Sequence, residues 1–273
     1  MVFRPGHVLL WAIALVVPAS CHGDDARQFV QKIVQNELAI DRDDHSHWIY
    51  LETDRKDGHS VKQWVAETRE GSLRRVIEIN GQPVPEAEQR LKMDNYLRDG
   101  SARSRQRKSE QHDDQQAREM LNLLPQAFVW TDRGTSGDLR ILHFKPDTNF
   151  RPPDLEARVF AAMEGDMAVN TEQLRIASIK GRLIRDVLIG GGWLGRLYAG
   201  GTFNVERRET GKHIWQIAET HVHIQGHALI FKTISEQEDD VKTDFRQLTG
   251  DPSLQQAEGD LINEGNRESV AKN

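Results

Sequence analysis

The sequence predicts an α+β protein built on one large, curved antiparallel sheet. We expect an incomplete β-barrel of about 10–11 strands, with an N-terminal helix on its concave face and a helical insertion. Three patterns indicate this class: an amphipathic stretch near the N-terminus, a long series of short β-branched and aromatic segments, and one charged stretch without them. The short gaps between β segments favour antiparallel hairpins, because a parallel strand needs a long crossover.

Residues 1–23 have the features of a secretory signal peptide. Arg4 supplies a positive charge, 8–17 form an apolar core too short to span a bilayer, and Pro18 ends that core. Cys21 leaves two alternatives open: cleavage that releases the protein into the periplasm, or lipidation of Cys21, which would give an outer-membrane lipoprotein. Pro18 stands where a lipidation motif usually has leucine, so we expect a periplasmic protein.

The composition indicates a soluble, mildly acidic protein. The chain has 273 residues, of which 29% are charged and 37% hydrophobic, and its net charge is −6. Residues 24–249 have a length that suits a single domain. An acidic chain lacks the basic face that sequence-independent nucleic-acid binding requires, so we expect no nucleic-acid partner. The single cysteine also excludes an internal disulfide.

The predicted N-terminal helix covers residues 25–40. Its apolar side chains recur at spacings of three and four, which gives one apolar stripe. Asp24 and Asp25 stand where they can cap the helix and interact with the positive end of its dipole. The stripe consists of Ala26, Phe29, Val30, Ile33, Val34 and Leu38.

Strands follow, separated by glycine-containing turn signals such as Asp57-Gly58 and Asn80-Gly81. Residues 84–124 interrupt them as a charged helical insertion in two pieces, broken at Gly100-Ser101. From residue 250 the chain is polar with little pattern, so we expect 250–273 to be disordered. The predicted strands are 47–53, 61–69, 73–80, 127–133, 139–145, 157–163, 167–170, 175–187, 202–208, 213–224, 228–236 and an edge strand at 243–248.

A glycine-rich segment at 190–201 is predicted to form a mobile apolar flap. Residues 190–195 match G-x-G-x-x-G, but no helix follows, so we expect no dinucleotide site. Glycine hinges around large apolar residues can gate a cavity or insert into a membrane surface. The alternative for the strand aromatics is that they fill the core. The predicted ligand-binding residues are Trp193, Leu194, Leu197 and Tyr198 of the flap and the strand residues Trp48, Trp64, Trp130 and Trp215.

Three histidines form a candidate metal site. His221 and His223 project from the same face of a predicted strand, and a turn at Gly226 would bring His227 back towards them. Imidazoles at this spacing can hold zinc or copper, with Glu219 as a further ligand. The alternative is a polar strand face whose histidines bind neighbouring groups, and this is the interpretation we favour, so we predict no cofactor.

The order of elements resembles the periplasmic lipoprotein-sorting proteins of the LolA/LolB-like class. The resemblance implies a curved sheet folded as an incomplete barrel around helices, enclosing an apolar cavity. It covers about two-thirds of the mature chain and contains no catalytic motif. The segments that carry it are 29–38, the first three strands and 159–245, including MEGD at 163–166, GRL at 181–183 and ALIFK at 228–232.

We therefore expect an exported, non-enzymatic protein that binds an apolar ligand, such as an acyl chain, a lipid or a lipoprotein. Peripheral membrane contact through the flap or the basic run 103–108 is consistent with this function. One alternative is a structural module of the cell envelope that recruits a partner protein through a sheet edge or the charged insertion. A second alternative is a metal-dependent envelope enzyme that uses His221 and His223.

Overall fold

The computed structural model describes residues 22–228 and 232–271. The signal peptide predicted over 1–23, with Cys21, lies almost wholly outside these residues and remains a prediction. The helices are α1 His22–Asp43, α2 Glu86–Arg98, α3 Gly100–Ala127, α4 Leu155–Phe160 and α5 Leu254–Ala271. The strands are β1 Trp48–Lys56, β2 His59–Ala66, β3 Leu73–Ile79, β4 Gln82–Pro83, β5 Phe128–Ser136, β6 Leu139–Pro146, β7 Met163–Asn170, β8 Arg175–Leu183, β9 Val187–Ile189, β10 Gly195–Leu197, β11 Thr202–Gly211, β12 Ile214–Ala228 and β13 Lys232–Gln247.

The strands form one antiparallel sheet with two open ends. Its order is β4-β3-β2-β1-β13-β12-β11-β8-β7-β6-β5, while β10 pairs with both β12 and β9. Within the described residues no pairing joins β4 to β5, so the sheet is not closed into a barrel. The predicted class is therefore confirmed, with 13 described strands where the sequence indicated fewer, because it did not resolve the short β4, β9 and β10.

Three of the predicted strands are wrong in detail. Residues 157–163 lie mostly in helix α4, which begins where the Asp154 carboxylate accepts the backbone N–H of Ala157 at 2.7 Å. The described part of the strand expected at 228–236, from residue 232 onward, and the strand expected at 243–248 belong to one strand, β13, which pairs with β12 on one side and β1 on the other. Asp244 of β13 has a positive φ of 54° and lies opposite the register shift between Ile49 and Leu51 of β1.

Helix α1 packs on the face of the sheet formed by β5 to β8, and we call this the inner face. Ala26, Val30, Ile33 and Val34 of the predicted stripe are fully or almost fully buried there. They contact an aromatic group on β5 and β6, in which the rings of Phe128 and Phe144 lie 4.7 Å apart. We call this apolar group cluster 1, and it places α1 where the amphipathic pattern predicts it.

Helices α2 and α5 form a second apolar cluster against β1, β2 and β3. Leu254, Ala257 and Leu261 of α5 are buried in it. The prediction of a disordered tail at 250–273 is therefore wrong over the described part of α5. These three residues recur at helical spacing, and their burial favours order over the conformational entropy of a free tail.

The helical insertion is observed as α2 and α3, which meet at Asp99. The Asp99 carboxylate accepts the N–H groups of Ser101 and Ala102, each at 2.9 Å, and so caps α3. The break falls one residue before the predicted Gly100-Ser101. Within residues 22–228 and 232–271, no helix is long and apolar enough to cross a bilayer.

Candidate ligand-binding flap

Residues 184–201 form a flap beside one end of strand β12. It contains β9, a 3₁₀ turn at Gly190–Gly192 and β10, and β9 and β10 pair with each other as a small hairpin. The three glycines of the turn have φ values of 56°, 67° and 93°, which residues with side chains rarely adopt. The sequence therefore encodes this tight turn, rather than the phosphate-binding loop that the G-x-G-x-x-G pattern resembles.

A fourth glycine fixes where the flap lies. Leu197 pairs directly with Gly226 of β12. A Cβ atom on Gly226 would lie 2.3 Å from the carbonyl oxygen of Arg196, so only glycine allows β10 to approach β12 this closely. The turn predicted at Gly226 is absent, because β12 continues through it as a strand.

The flap concentrates exposed apolar side chains. Among the described residues, nine large hydrophobic side chains are exposed, and five of them lie between 184 and 198. Trp193, at the tip, is 90% exposed. A contiguous exposed apolar group of this kind is typical of a binding surface, whereas single exposed hydrophobics are ordinary. The five are Ile184, Leu188, Trp193, Leu194 and Tyr198.

Polar contacts hold the base of the flap in place. Asp186 accepts the N–H of Ala199 at 2.8 Å and pairs with Arg196 at 3.2 Å. The Tyr198 hydroxyl lies 2.8 Å from Nδ1 of His227. These contacts lie below the tip residues 190–194.

The inner side of the flap covers the end of cluster 1. Leu197, Phe203 and Ile224 are partly buried there and pack against the buried members of the cluster. A cavity of about 400 Å³ lies nearby, but of these three residues only Ile224 lines it, and His223, Gln225 and Gln237 make its wall mostly polar. Its lining comes from 198–202, 223–225 and Gln237.

The predicted strand tryptophans do not line a common cavity. Trp130 is buried in cluster 1, where its Nε1 donates to the carbonyl of Leu124 at 3.0 Å. Trp64 is buried against α5 in the second cluster, and Trp48 packs with Phe245 in a third. Trp215 is half-buried and donates to Gln173 at 2.8 Å. For Trp48, Trp64 and Trp130 the core-filling alternative is correct, and the flap is what remains of the predicted site.

The three histidines do not converge. His221 and His223 both contact one oxygen of Asp239, at 2.7 and 3.3 Å, while His227 contacts Tyr198. The hydrogen bond to Asp239 raises the pKa of His221 above its ordinary value. Nowhere in the described chain are three His, Cys, Asp or Glu side chains placed to hold a metal ion. His221 and His223 are thus part of a polar strand face.

The inner face carries a row of cross-strand residue pairs that the sequence did not predict. Asp54 of β1 lies directly opposite Asp240 of β13, and the row continues through Thr220 and Val205 to Ile179 at the edge of cluster 1. Directly paired residues share a face, so the two aspartates lie on the same side of the sheet as α1. No sequence signal points to them, because β1 and β13 are at opposite ends of the chain.

The two aspartates are in an unfavourable electrostatic environment. One oxygen of each carboxylate is buried with no hydrogen-bond partner among the described atoms. Lys242 pairs with Asp240 at 3.2 Å. Burial, with the nearby Glu52 and Asp54, nevertheless raises the pKa of Asp240 to about 6, and burial also raises the pKa of Asp54.

A second groove, larger and less polar than the cavity near the flap, lies between α1, the end of α3 and the loop after β6. It has a volume of about 630 Å³. Arg27 bridges it by pairing with Asp147 at 2.8 Å. The groove is lined by Arg27, Gln31, Val34, Gln35, Leu38, Asn122, Pro125, Gln126, Asp147, Asn149, Phe150 and Arg151.

No protein-family model matches the chain, and no curated protein matches it. Among solved structures, the chain is similar to a DUF1329 family protein from Desulfovibrio piger ATCC 29098. The similarity covers 85% of this chain and 95% of that chain at 7% identity, with a TM-score of 0.29. A TM-score of this size does not establish a shared fold, and we transfer no residue role from that protein.

Proposed function

We propose that this chain is an exported, non-enzymatic protein of the cell envelope that binds an apolar ligand, an acyl chain or a lipid, beneath the flap. The observation that carries the proposal is the concentration of exposed apolar side chains at 184–198, in a flap whose Val187 and Leu197 pack into cluster 1. Export rests on the signal-peptide pattern of 1–23. Release into the periplasm and lipidation at Cys21 both remain compatible with this function.

The ligand would lie between the flap and the inner face of β11 and β12. There it would contact Leu197, Phe203 and Ile224, which are packed against cluster 1 on one side only. Each methylene group that leaves water contributes about 0.8 kcal/mol, so a chain of several methylenes supplies useful affinity. The glycines at 190–192 supply the freedom that opening would require.

The resemblance to LolA/LolB-like lipoprotein-sorting proteins supports the same ligand class. That class encloses an apolar cavity between helices and an incomplete barrel, and this chain has an open antiparallel sheet with α1 on one face. Within the proposal, the cargo is an acyl chain of a lipid or a lipoprotein, and the protein leaves it chemically unchanged.

Displacement of a fluorescent fatty-acid probe tests the proposal. We expect wild-type protein to bind the probe and Phe203→Ala to bind it roughly tenfold more weakly, because a large apolar contact is lost. Ile217→Ala is the matched control, since Ile217 is exposed on β12 away from cluster 1. Native mass spectrometry of purified protein should detect the same class of ligand. A wild-type protein that neither contains lipid nor binds the probe would contradict the proposal.

The rival function, a protein-interaction module, has one structural feature in its favour. Strand β5 is an end strand of the sheet, and residues 131–136 along it are exposed. An end strand with free backbone groups can accept a strand from another protein. Arg133→Pro would block such pairing, so retention of a partner by wild type and its loss in this variant, in a pull-down from envelope extract, would favour the rival.

A further inference from the structure

We propose that the tip of the flap docks on a bilayer surface that contains anionic phospholipid, with Trp193 and Leu194 inserted at the level of the headgroups. This inference rests on the proposed function, because the bilayer is the source or destination of the acyl ligand. It assigns to the tip a role that the ligand site under the flap does not require.

The tip presents the exposed apolar side chains that docking on a bilayer requires. Trp193 is 90% and Leu194 47% exposed, while Tyr198 stands at the base with its ring 42% exposed. Tryptophan and tyrosine are the residues enriched at membrane interfaces, where one end of the side chain is apolar and the other is hydrated. Leu188, on the preceding strand of the hairpin, extends the same apolar surface.

The backbone of the tip is suited to a low-dielectric environment. Polar backbone groups entering the headgroup and acyl boundary must be paired internally. The N–H of Trp193 donates to Gly190 at 3.3 Å and that of Leu194 donates to Ile189 at 3.1 Å. The hairpin pairing of β9 with β10 satisfies further groups directly behind the tip.

Charge complementarity identifies the occupant as an anionic surface. The segment 182–198 has three arginines and one aspartate, in a chain whose net charge is −6. Arg185 and Arg196 are exposed on either side of the tip, with Arg196 paired to Asp186 at 3.2 Å, and Arg158 of α4 joins them by donating to the carbonyl of Leu188 at 3.1 Å. An apolar tip with arginines around it fits lipid phosphates, each such cation contributing a modest attraction near the surface.

Co-flotation of the full mature chain with vesicles tests the inference. We expect binding to vesicles of phosphatidylcholine mixed with phosphatidylglycerol, weak binding to pure phosphatidylcholine, and weakening of the former in high salt. The double variant Trp193→Ala/Leu194→Ala should bind at least about tenfold more weakly. Its matched control is Leu91→Ala, because Leu91 is 55% exposed on α2, outside the flap.

The charge contribution has its own pair of variants. Arg185→Gln should weaken binding to the mixed vesicles by roughly fivefold. Arg133→Gln, an equally exposed cation on β5, should leave it unchanged. Trp193→Phe should still float but lose most of the quenching of tryptophan fluorescence by brominated lipid, because Trp48, Trp64 and Trp130 are buried in the core and Trp215 is half-buried outside the flap.

The outcomes separate this inference from the proposed function. If the double variant loses flotation but still binds the soluble fatty-acid probe, docking at the tip is supported independently of the ligand site. Equal flotation of wild type and double variant would overturn the docking proposal. It would not bear on ligand binding beneath the flap, which the probe assay tests separately. A concentration-dependent dimer that the double variant abolishes would also overturn it, because the tip would then be covered by a second copy of the chain.

Discussion

At the scale of single residues, Glu67 is a carboxylic acid whose environment opposes ionisation. Its Oε2 accepts the backbone N–H of Trp48 at 3.0 Å, and burial raises its pKa to about 7 despite the nearby Lys242. The pKa of Glu67 is higher in the folded state than in the unfolded state. Its contribution to the free energy of unfolding is therefore fully present below about pH 4.5 and is lost as the pH rises through about 7.

Glu67→Gln removes this ionisation and keeps an oxygen that accepts from Trp48. We expect the variant to be more stable than wild type at pH 8, by about 2 kcal/mol, and the difference to vanish near pH 4. Urea unfolding across this pH range measures it. Glu172→Gln, at an exposed carboxylate, is the control and should track wild type throughout. A difference that is independent of pH would contradict the burial argument.

Gly165 of β7 marks the closest approach of two strands. A Cβ atom there would lie 1.9 Å from the carbonyl oxygen of Lys180 on β8, a contact that cannot be relieved without moving backbone. We expect Gly165→Ala to lower the free energy of unfolding by more than about 3 kcal/mol, or to prevent folding. Gly259→Ala on α5 meets no atom within 4 Å and should stabilise by roughly 0.5–1 kcal/mol, as measured by thermal unfolding.

The sequence identifies residue types at this scale but not their environments. Trp48, Trp64 and Trp130 were predicted as one ligand-binding group, and each lies in a different apolar cluster. A strand aromatic has the same local pattern whether it faces a cavity or a core. The cross-strand pairing of Asp54 with Asp240 cannot be predicted from the sequence, because it depends on two strands that are distant in the chain.

At the scale of elements, the sequence of α5 contains a weak helical pattern of apolar residues, which did not suffice to predict the helix. Leu254, Ala257 and Leu261 follow helical spacing within an otherwise polar segment. The helix is tied to the sheet by Arg75 of β3, which donates to the carbonyl of Leu261 at 2.8 Å. In a polar sequence three apolar residues support a helix only when a complementary apolar surface exists, and that surface comes from β1 to β3.

Leu261→Ala tests whether α5 contributes to stability. Leu261 is fully buried, so we expect a loss of about 2–4 kcal/mol in the free energy of unfolding. Gln255→Ala, on the exposed side of the same helix, should change stability by less than about 0.5 kcal/mol. Chemical denaturation measures both. Equal stabilities of Leu261→Ala and wild type would restore the prediction of a disordered tail.

Helix α1 is fixed to the sheet by a buried charge as well as by its apolar stripe. Glu37 pairs with Arg175 at 3.1 Å and Arg207 at 2.8 Å, and both Glu37 and Arg175 have side chains only 5% exposed. Glu37→Gln would leave two arginines without their anion, at a cost of about 3–5 kcal/mol. The control is Asp41→Asn, also on α1, which breaks the exposed ion pair between Asp41 and Arg118 of α3. It should lower the free energy of unfolding by less than about 1 kcal/mol in the same assay.

At the scale of the whole molecule, local patterns predicted the class and left the connectivity open. Period-two segments and turn signals indicated the hairpins β1–β2 and β5–β6, and these are observed. The pairing β1–β13 joins the two ends of the chain and the pairing β8–β11 passes over the flap, and no local pattern specifies either of them. The flap could be recognised because its glycine and apolar composition is local, and its role in ligand binding stays a prediction.

The central claim is that an apolar ligand binds beneath the flap, over the end of cluster 1. The most direct measurement is native mass spectrometry of the purified mature chain, combined with displacement of a bound fatty-acid probe. The account predicts an adduct of acyl-chain mass that the probe displaces in wild type and in Ile217→Ala, and that is lost or greatly reduced in Phe203→Ala. A wild-type spectrum without any adduct, together with no probe binding, would contradict it.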